Sequence, residues 1–129
     1  MRERLELMLM ADRLAVCRLD AGDESDLRAA SGLFSVTRTE DELSVVCAED
    51  DAPPGALEVS GGWRALKVHG PIDHTAVGVL SAIAIPLAEA GVPLLPLATF
   101  DTDYVLVRDS DLSRATGALE SAGHSVESR

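Results

Sequence analysis

The sequence predicts an α+β fold assembled from strand, helix, strand, strand, helix, strand units, and three observations carry that expectation. Residues 63–127 alternate apolar runs of period two with apolar runs at helical spacing, in that order, with turn residues between them. Ala48 to Gly62, rich in Pro, Gly and acidic side chains, divides the chain. Upstream of this divider GLFSVTRTEDELSVVC repeats the strand, polar turn, strand pattern of PLATFDTDYVLV downstream, so the two halves read as an imperfect internal repeat.

Taken in order, Leu5 to Met10 sets Leu5, Leu7 and Leu9 against Glu6, Met8 and Met10. Leu14 to Leu19 resumes a strand after Ala11-Asp12-Arg13, which predicts a hairpin. Asp20 to Ser31 leaves room for a short helix over Glu24 to Ala30. Leu33 to Arg38 and Leu43 to Cys47 form two strands about the acidic turn Thr39 to Glu42. Within the divider only Ala56 to Val59 looks ordered, and a boundary near Ser60 gives an abbreviated N-terminal unit, residues 1–60, and a complete C-terminal unit, residues 61–129.

The second half is clearer. In Trp63 to His69, Leu66 and Val68 fall on one face and Lys67 and His69 on the other, the pattern of a half-buried strand. Gly70-Pro71 ends it, and Asp73 is a good N-cap for a helix carrying Ala76, Val79, Leu80, Ile83 and Leu87, stopped by Gly91. Pro86 inside that helix removes an amide and predicts a bend. Leu94 to Thr99 and Tyr104 to Arg108 are strands linked by Phe100 to Asp103. Ser110 or Asp109 then caps a helix with Leu112, Ala115, Leu119 and Ala122, Gly123 stops it, and His124 to Glu127 makes a last strand. This order predicts a four-stranded antiparallel sheet with two helices on one face, the ferredoxin-like βαββαβ arrangement.

Composition narrows the function classes. A chain of 129 residues holds one full core or two small units that lean on each other. An aromatic content of 3% leaves the core to Leu, Val, Ile and Ala. The formal net charge of -11 argues against nucleic acid and anionic membrane as partners, because both are held by clustered Lys and Arg. No apolar run reaches the ~20 residues of a spanning helix, and Met1 to Met10 lacks a signal-peptide core, so a cytoplasmic protein is expected. Cys17 and Cys47 have no CxxC spacing and read as buried free thiols.

Metal and catalytic readings lack their residues. His69 and His74 have no third ligand at workable spacing, and the acidic clusters at Glu40 to Glu42 and Glu49 to Asp51 lack the pattern of a calcium loop. Ser81 sits outside any GxSxG turn, Asp101 and Asp103 have no evident acid–base partner, and there is no GxGxxG or Walker sequence. No enzyme activity and no cofactor are expected.

The stretch GWRALKVHGPIDHTAVGVLSAIAIPLAEAGVPLLPLATFDTDYVLVRDSDL, residues 62–112, resembles the ACT-domain family, most diagnostically in GPID at Gly70 to Asp73 and TFDTDYVLV at Thr99 to Val107. With GLFSVTRT and ELSVVC the likeness extends over most of the chain, more faintly before residue 60. The resemblance implies two ACT units in tandem, the first abbreviated, in a non-catalytic regulator that binds a free amino acid or similar metabolite between units. Arginine-sensing members of the family carry four units and hold ligand between the second and fourth. A two-unit chain therefore implies a homodimer that rebuilds such a site. Carried over singly, Thr99, Phe100 and Asp103 match positions lining the arginine pocket. The loop Ile72 to His74 matches one that closes over the ligand, although two extra residues precede the helix here.

The chemistry of these residues fits such a ligand. A free amino acid needs N–H donors for its carboxylate and oxygen acceptors for its ammonium. Gly70 to His74, where strand turns into helix, offers the donors, and Asp103 offers an acceptor. Asp73 suits this loop and a plain capping role alike. A cationic ligand suits the acidic balance, while a hydrophobic one such as isoleucine suits Ile72 and Val77. The alternative is a protein–protein interaction module without a small-molecule ligand, recruiting its partner through a sheet face or edge strand.

Overall fold

The computed structural model describes residues 4–28 and 32–128. Among them the chain runs β1 (Glu6–Leu9), β2 (Leu14–Leu19), β3 (Ser35–Arg38), β4 (Leu43–Ala48), β5 (Glu58–Val68), α1 (Val79–Glu89), β6 (Leu95–Ala98), β7 (Asp103–Arg108), α2 (Leu112–Ser121) and β8 (Ser125–Ser128). Two compact units result, Asp12–Trp63 and a second formed by Met1–Ala11 with Arg64–Arg129. The boundary expected at Ser60 thus falls inside β5, and residues 4–11 join the later unit. Gly61-Gly62 reads as a break in sequence, yet it lies in a strand that bulges. Pairing with β2 shifts register between Leu14 and Val16, and Gly62 supplies a φ of 77°.

In the unit Asp12–Trp63 the order is β3-β4-β2-β5, antiparallel throughout. The fourth strand lies beside the first, the first beside the third and the third beside the second, as in a split βαββαβ unit. Its helices are gone among the described residues. The helix expected over Glu24 to Ala30 is absent over 24–28, while residues 29 and 30 lie outside the described residues. Aspartates take the backbone instead: Asp20 accepts the Gly22 N–H at 2.8 Å and Asp23 accepts the Ser25 N–H at 2.7 Å. A single 3-10 turn, Glu49–Asp51, stands where the second helix would begin.

The core of this unit joins Cys17, Leu19, Leu43, Val45 and Cys47. Both cysteines are buried and free, and burial pushes the Cys47 thiol up to about 11, away from thiolate chemistry.

The second unit repeats the strand order with one addition. Its sheet runs β6-β7-β5-β1-β8, so β1 is inserted between the fourth and first strands of the scheme. Leu7 aligns with Val68 of antiparallel β5 and with Val126 of parallel β8. This corrects two expectations, the hairpin of β1 with β2 and the four-stranded, wholly antiparallel sheet. Alternating hydrophobicity sets which face of a strand is buried but leaves its partner unspecified. Leu7, Leu66, Val68, Val105 and Val107 of the sheet join Ile83, Leu87, Ala115 and Leu119 of the helices in one buried cluster. Full burial of each such Leu or Ile is worth about 1.5–3 kcal/mol.

Helix starts depart from expectation and helix stops follow it. α1 begins at Val79 behind Gly78, which takes φ 89°, so Ala76 lies exposed in the preceding loop. Asp73 does not cap it: its carboxylate accepts the Thr75 N–H at 2.8 Å and the Thr75 hydroxyl at 2.7 Å. Neither Asp109 nor Ser110 caps α2. A 3-10 turn, Asp109–Asp111, precedes it, and the Asp109 carboxylate is taken by Arg64 at 3.0 Å. Gly91 at φ 72° and Gly123 at φ 98° end the two helices in the left-handed conformation.

Pro86 lies inside a continuous α1 and offers no N–H to the carbonyl of Ala82. His124, 6% exposed, fills the gap. Its Nε2 donates to the Ala82 carbonyl at 2.9 Å while Nδ1 accepts the Leu5 N–H at 3.0 Å, which places the ring proton on Nε2. The residue expected to open the last strand therefore precedes it and ties α1 to the N-terminal segment. His124→Ala leaves both backbone groups unpaired and is expected to cost about 2–4 kcal/mol. In a Pro86→Ala background the new amide satisfies Ala82, and the same change should cost about 1 kcal/mol less. Urea unfolding of the four proteins reads this cycle, and equal costs in both backgrounds would dissolve the link.

Candidate functional site

The site grows from the end of β5. Past Val68, the His69 N–H donates to the Glu6 carbonyl at 2.8 Å, and the chain then turns at Gly70-Pro71, whose peptide is cis. Thr102, in the turn between β6 and β7 and 4% exposed, donates its hydroxyl to the Val68 carbonyl at 2.6 Å. The Ile72 N–H donates to the Asp101 carbonyl at 2.6 Å. Gly70 permits this approach, since a Cβ there would stand 3.1 Å from both the Asp101 carbonyl oxygen and the Thr102 Cβ. Thr99 closes the turn by donating its N–H to the Thr102 carbonyl at 2.9 Å.

A side-chain contact adds to the clamp. His74 Nε2 donates to the Phe100 carbonyl, and the two rings meet edge to face with centroids 4.6 Å apart.

The loop and the hairpin turn that carry the expected site residues therefore lie side by side. Ile72, Asp73, His74, Thr99, Phe100 and Asp103 line one open groove of about 680 Å³, with Val79 and Ser81 of α1 completing it. Gly70 stands behind the groove, in the wall that joins the two segments. Val77 lies outside the groove lining and is 88% exposed, because α1 starts after it rather than before it. Sequence reasoning passed over Thr102, whose hydroxyl holds the turn in place. A threonine in a polar turn carries no mark of burial, so nothing in the sequence distinguished it.

Among the described residues the ionisable groups lining the groove are the carboxylates of Asp73, Asp101 and Asp103 and the imidazole of His74, with no Lys or Arg. Such a lining favours the cationic pole of a ligand. Hydrogen bonds from the Thr75 N–H and hydroxyl hold the Asp73 carboxyl below the usual aspartate range. Among the described residues no group of three His, Cys, Asp or Glu side chains is placed to hold a metal ion. No described helix is long and apolar enough to cross a membrane.

The twice-used strand order and the groove between loop and hairpin define a tandem ferredoxin-like α+β protein. An ACT domain model matches residues 58–121, and a model of an N-terminal domain matches residues 12–54. The chain belongs to the ACT-domain family. It is 33% identical to a crystallised protein of Agrobacterium tumefaciens, with a TM-score of 0.90 over 98% of this chain and 95% of that one. It is 34% identical over 96 residues to subunit 1 of the cytosolic arginine sensor for mTORC1 of Bos taurus and of Homo sapiens. That match takes in 67% of this chain but only 29% of the sensor's length. The regulatory subunit of aspartate kinase from Thermus thermophilus, 11% identical, shares the fold with a TM-score of 0.61 over 90% of this chain and 95% of that one.

Because the folded state lowers the Asp73 pKa, this carboxylate favours folding above its unfolded pKa, and that contribution fades as pH falls through the folded value. In a side-chain carboxyl NMR titration Asp73 is expected to titrate below an ordinary aspartate. Thr75→Val, which deletes the hydroxyl donor, should raise its midpoint. An unmoved midpoint would remove the hydroxyl bond as the cause.

Proposed function

We propose that the chain is a non-catalytic regulatory protein that binds a free amino acid in the groove between Gly70–His74 and Thr99–Asp103, where a second ACT unit, supplied by a homodimer, closes over it. The observation that carries this reading is the bond from the Ile72 N–H to the Asp101 carbonyl, which holds the two segments together. Asp103, half-buried at the start of β7, is suited to the ammonium pole. Among the described residues no Lys or Arg lines the groove, so loop amides or the second unit must hold the carboxylate pole.

Phe100, 80% exposed, and Leu80 leave apolar surface at the groove that a second unit would cover. The arginine sensors support an amino acid as ligand and a cytoplasmic setting by their description. The carboxylate-rich lining favours a ligand with a cationic side chain.

The second reading, an interaction module without ligand, draws on the exposed Leu95 of β6, which pairs with β7 alone and so ends the sheet.

A thermal-shift screen against the twenty common amino acids separates the two. Ligand at about 100-fold above its dissociation constant stabilises the folded state by ~2.7 kcal/mol. One or a few amino acids are expected to raise the melting temperature, and Asp103→Asn to abolish the rise while leaving the unliganded melt unchanged. Flat curves for every amino acid in a folded sample would overturn the ligand-binding reading.

A further inference from the structure

The sheet of the second unit has another face, and a cleft of about 480 Å³ lies on it, meeting the groove at Thr99, Asp101 and Thr102. Strand register assembles it. Met8 on β1 lies between Lys67 on β5 and Glu127 on β8, and Glu6, two residues back, lies beside His69. Side chains alternate along a strand, so Glu6, Met8, Lys67 and Glu127 share the face opposite the buried Leu7, Leu66 and Val68. Gly70-Pro71 and Asp101 stand at one end as a wall. The volume falls within the ~300–1,000 Å³ of small-molecule sites.

Among the described residues the charges in this cleft are opposite in sign and form no ion pair. Lys67 is half-buried, its ammonium 6.0 Å from the centroid of the Tyr104 ring. Neither Lys67 nor Glu6, Asp101 or Glu127 forms an ion pair among the described residues. The register explains why for one of them: Glu127 is two strands from Lys67, roughly 10 Å at the usual spacing. An ammonium and several carboxylates thus face one small-molecule-sized space, and Glu127 stands at a separation from Lys67 that a bound molecule can bridge and a direct pair cannot.

We propose that this cleft is a second binding site, for a small zwitterion carrying a carboxylate and an amine. The carboxylate meets Lys67 and the amine lies between Glu6 and Glu127, with Tyr104 as an apolar side wall. The cleft shares Asp101 with the groove beyond the Gly70-Pro71 wall, but Lys67, Glu6 and Glu127, on which the proposal rests, line the cleft alone.

The test uses the intact chain labelled for amide NMR, titrated with glycine and γ-aminobutyrate as zwitterions of two lengths and with acetate and methylammonium as single poles. At least one zwitterion should give saturable shifts at Met8, Lys67, Tyr104 and Glu127, at least tenfold tighter than either single pole. Lys67→Met and, separately, Glu6→Gln should each weaken it tenfold or more, while Asp103→Asn leaves it unchanged. Absence of saturable shifts at these residues up to about 10 mM, ten times a weak millimolar constant, would overturn the proposal. So would zwitterion binding unaltered by both Lys67→Met and Glu6→Gln. Shifts confined to Ile72–Asp103 would overturn it while leaving the groove reading intact.

Discussion

Two short hydrogen bonds organise the functional end of this chain. The Thr102 hydroxyl holds the Val68 carbonyl, and the Ile72 N–H holds the Asp101 carbonyl, each at 2.6 Å. Together they fasten the β6–β7 turn to the end of β5. The first is buried, where an unpaired carbonyl would cost about 1–3 kcal/mol, so the turn has little freedom to leave. The second positions the exposed residues that follow Pro71, which have few buried contacts of their own. Gly70 eases the approach for both, since a Cβ there would stand 3.1 Å from the Asp101 carbonyl and the Thr102 Cβ and press on the turn. The groove on one side and the cleft on the other are two faces of this one junction.

Much of the fold was legible in sequence because local patterns report local facts. Apolar runs located the strands apart from the 58–62 stretch of β5, and Gly91 and Gly123 marked helix ends because only a residue without Cβ takes the left-handed conformation easily. The misreadings share a cause. Asp73 has the chemistry of an N-cap, but a Thr two residues on offers a nearer bond, and the helix waits for Gly78. Asp20 and Asp23 likewise capture backbone amides that a helix would need. The β1–β2 hairpin failed because pairing is a long-range choice. β1 aligns Leu7 with Val68 and Val126, residues far along the chain.

The candidate site was legible only through resemblance. Spacing alone identified a loop and a turn, and nothing in residues 70–74 or 99–103 says that they touch. Their contact follows from topology, since β5 and β7 are neighbours and the loop after one meets the turn before the other. The role of His124 was invisible for the same reason: its partners, Leu5 and Ala82, lie 119 and 42 residues away along the chain. The two units also show which part of this fold tolerates loss. Among the described residues the unit Asp12–Trp63 keeps the strand order without an α-helix, because the ladder satisfies its own backbone groups while a helix layer serves chiefly to cover a face.

The clamp between loop and turn is open to direct observation by amide hydrogen exchange. The N–H of Ile72 lies at the start of a stretch, residues 73–78, that is exposed throughout. If its bond to Asp101 persists in solution, Ile72 exchanges far more slowly than His74 and Val77, and Thr102→Val, by loosening the turn, speeds Ile72 without speeding Leu66. Exchange of Ile72 at the rate of the surrounding loop would mean that the two segments part freely, and the junction on which both sites are built would be lost.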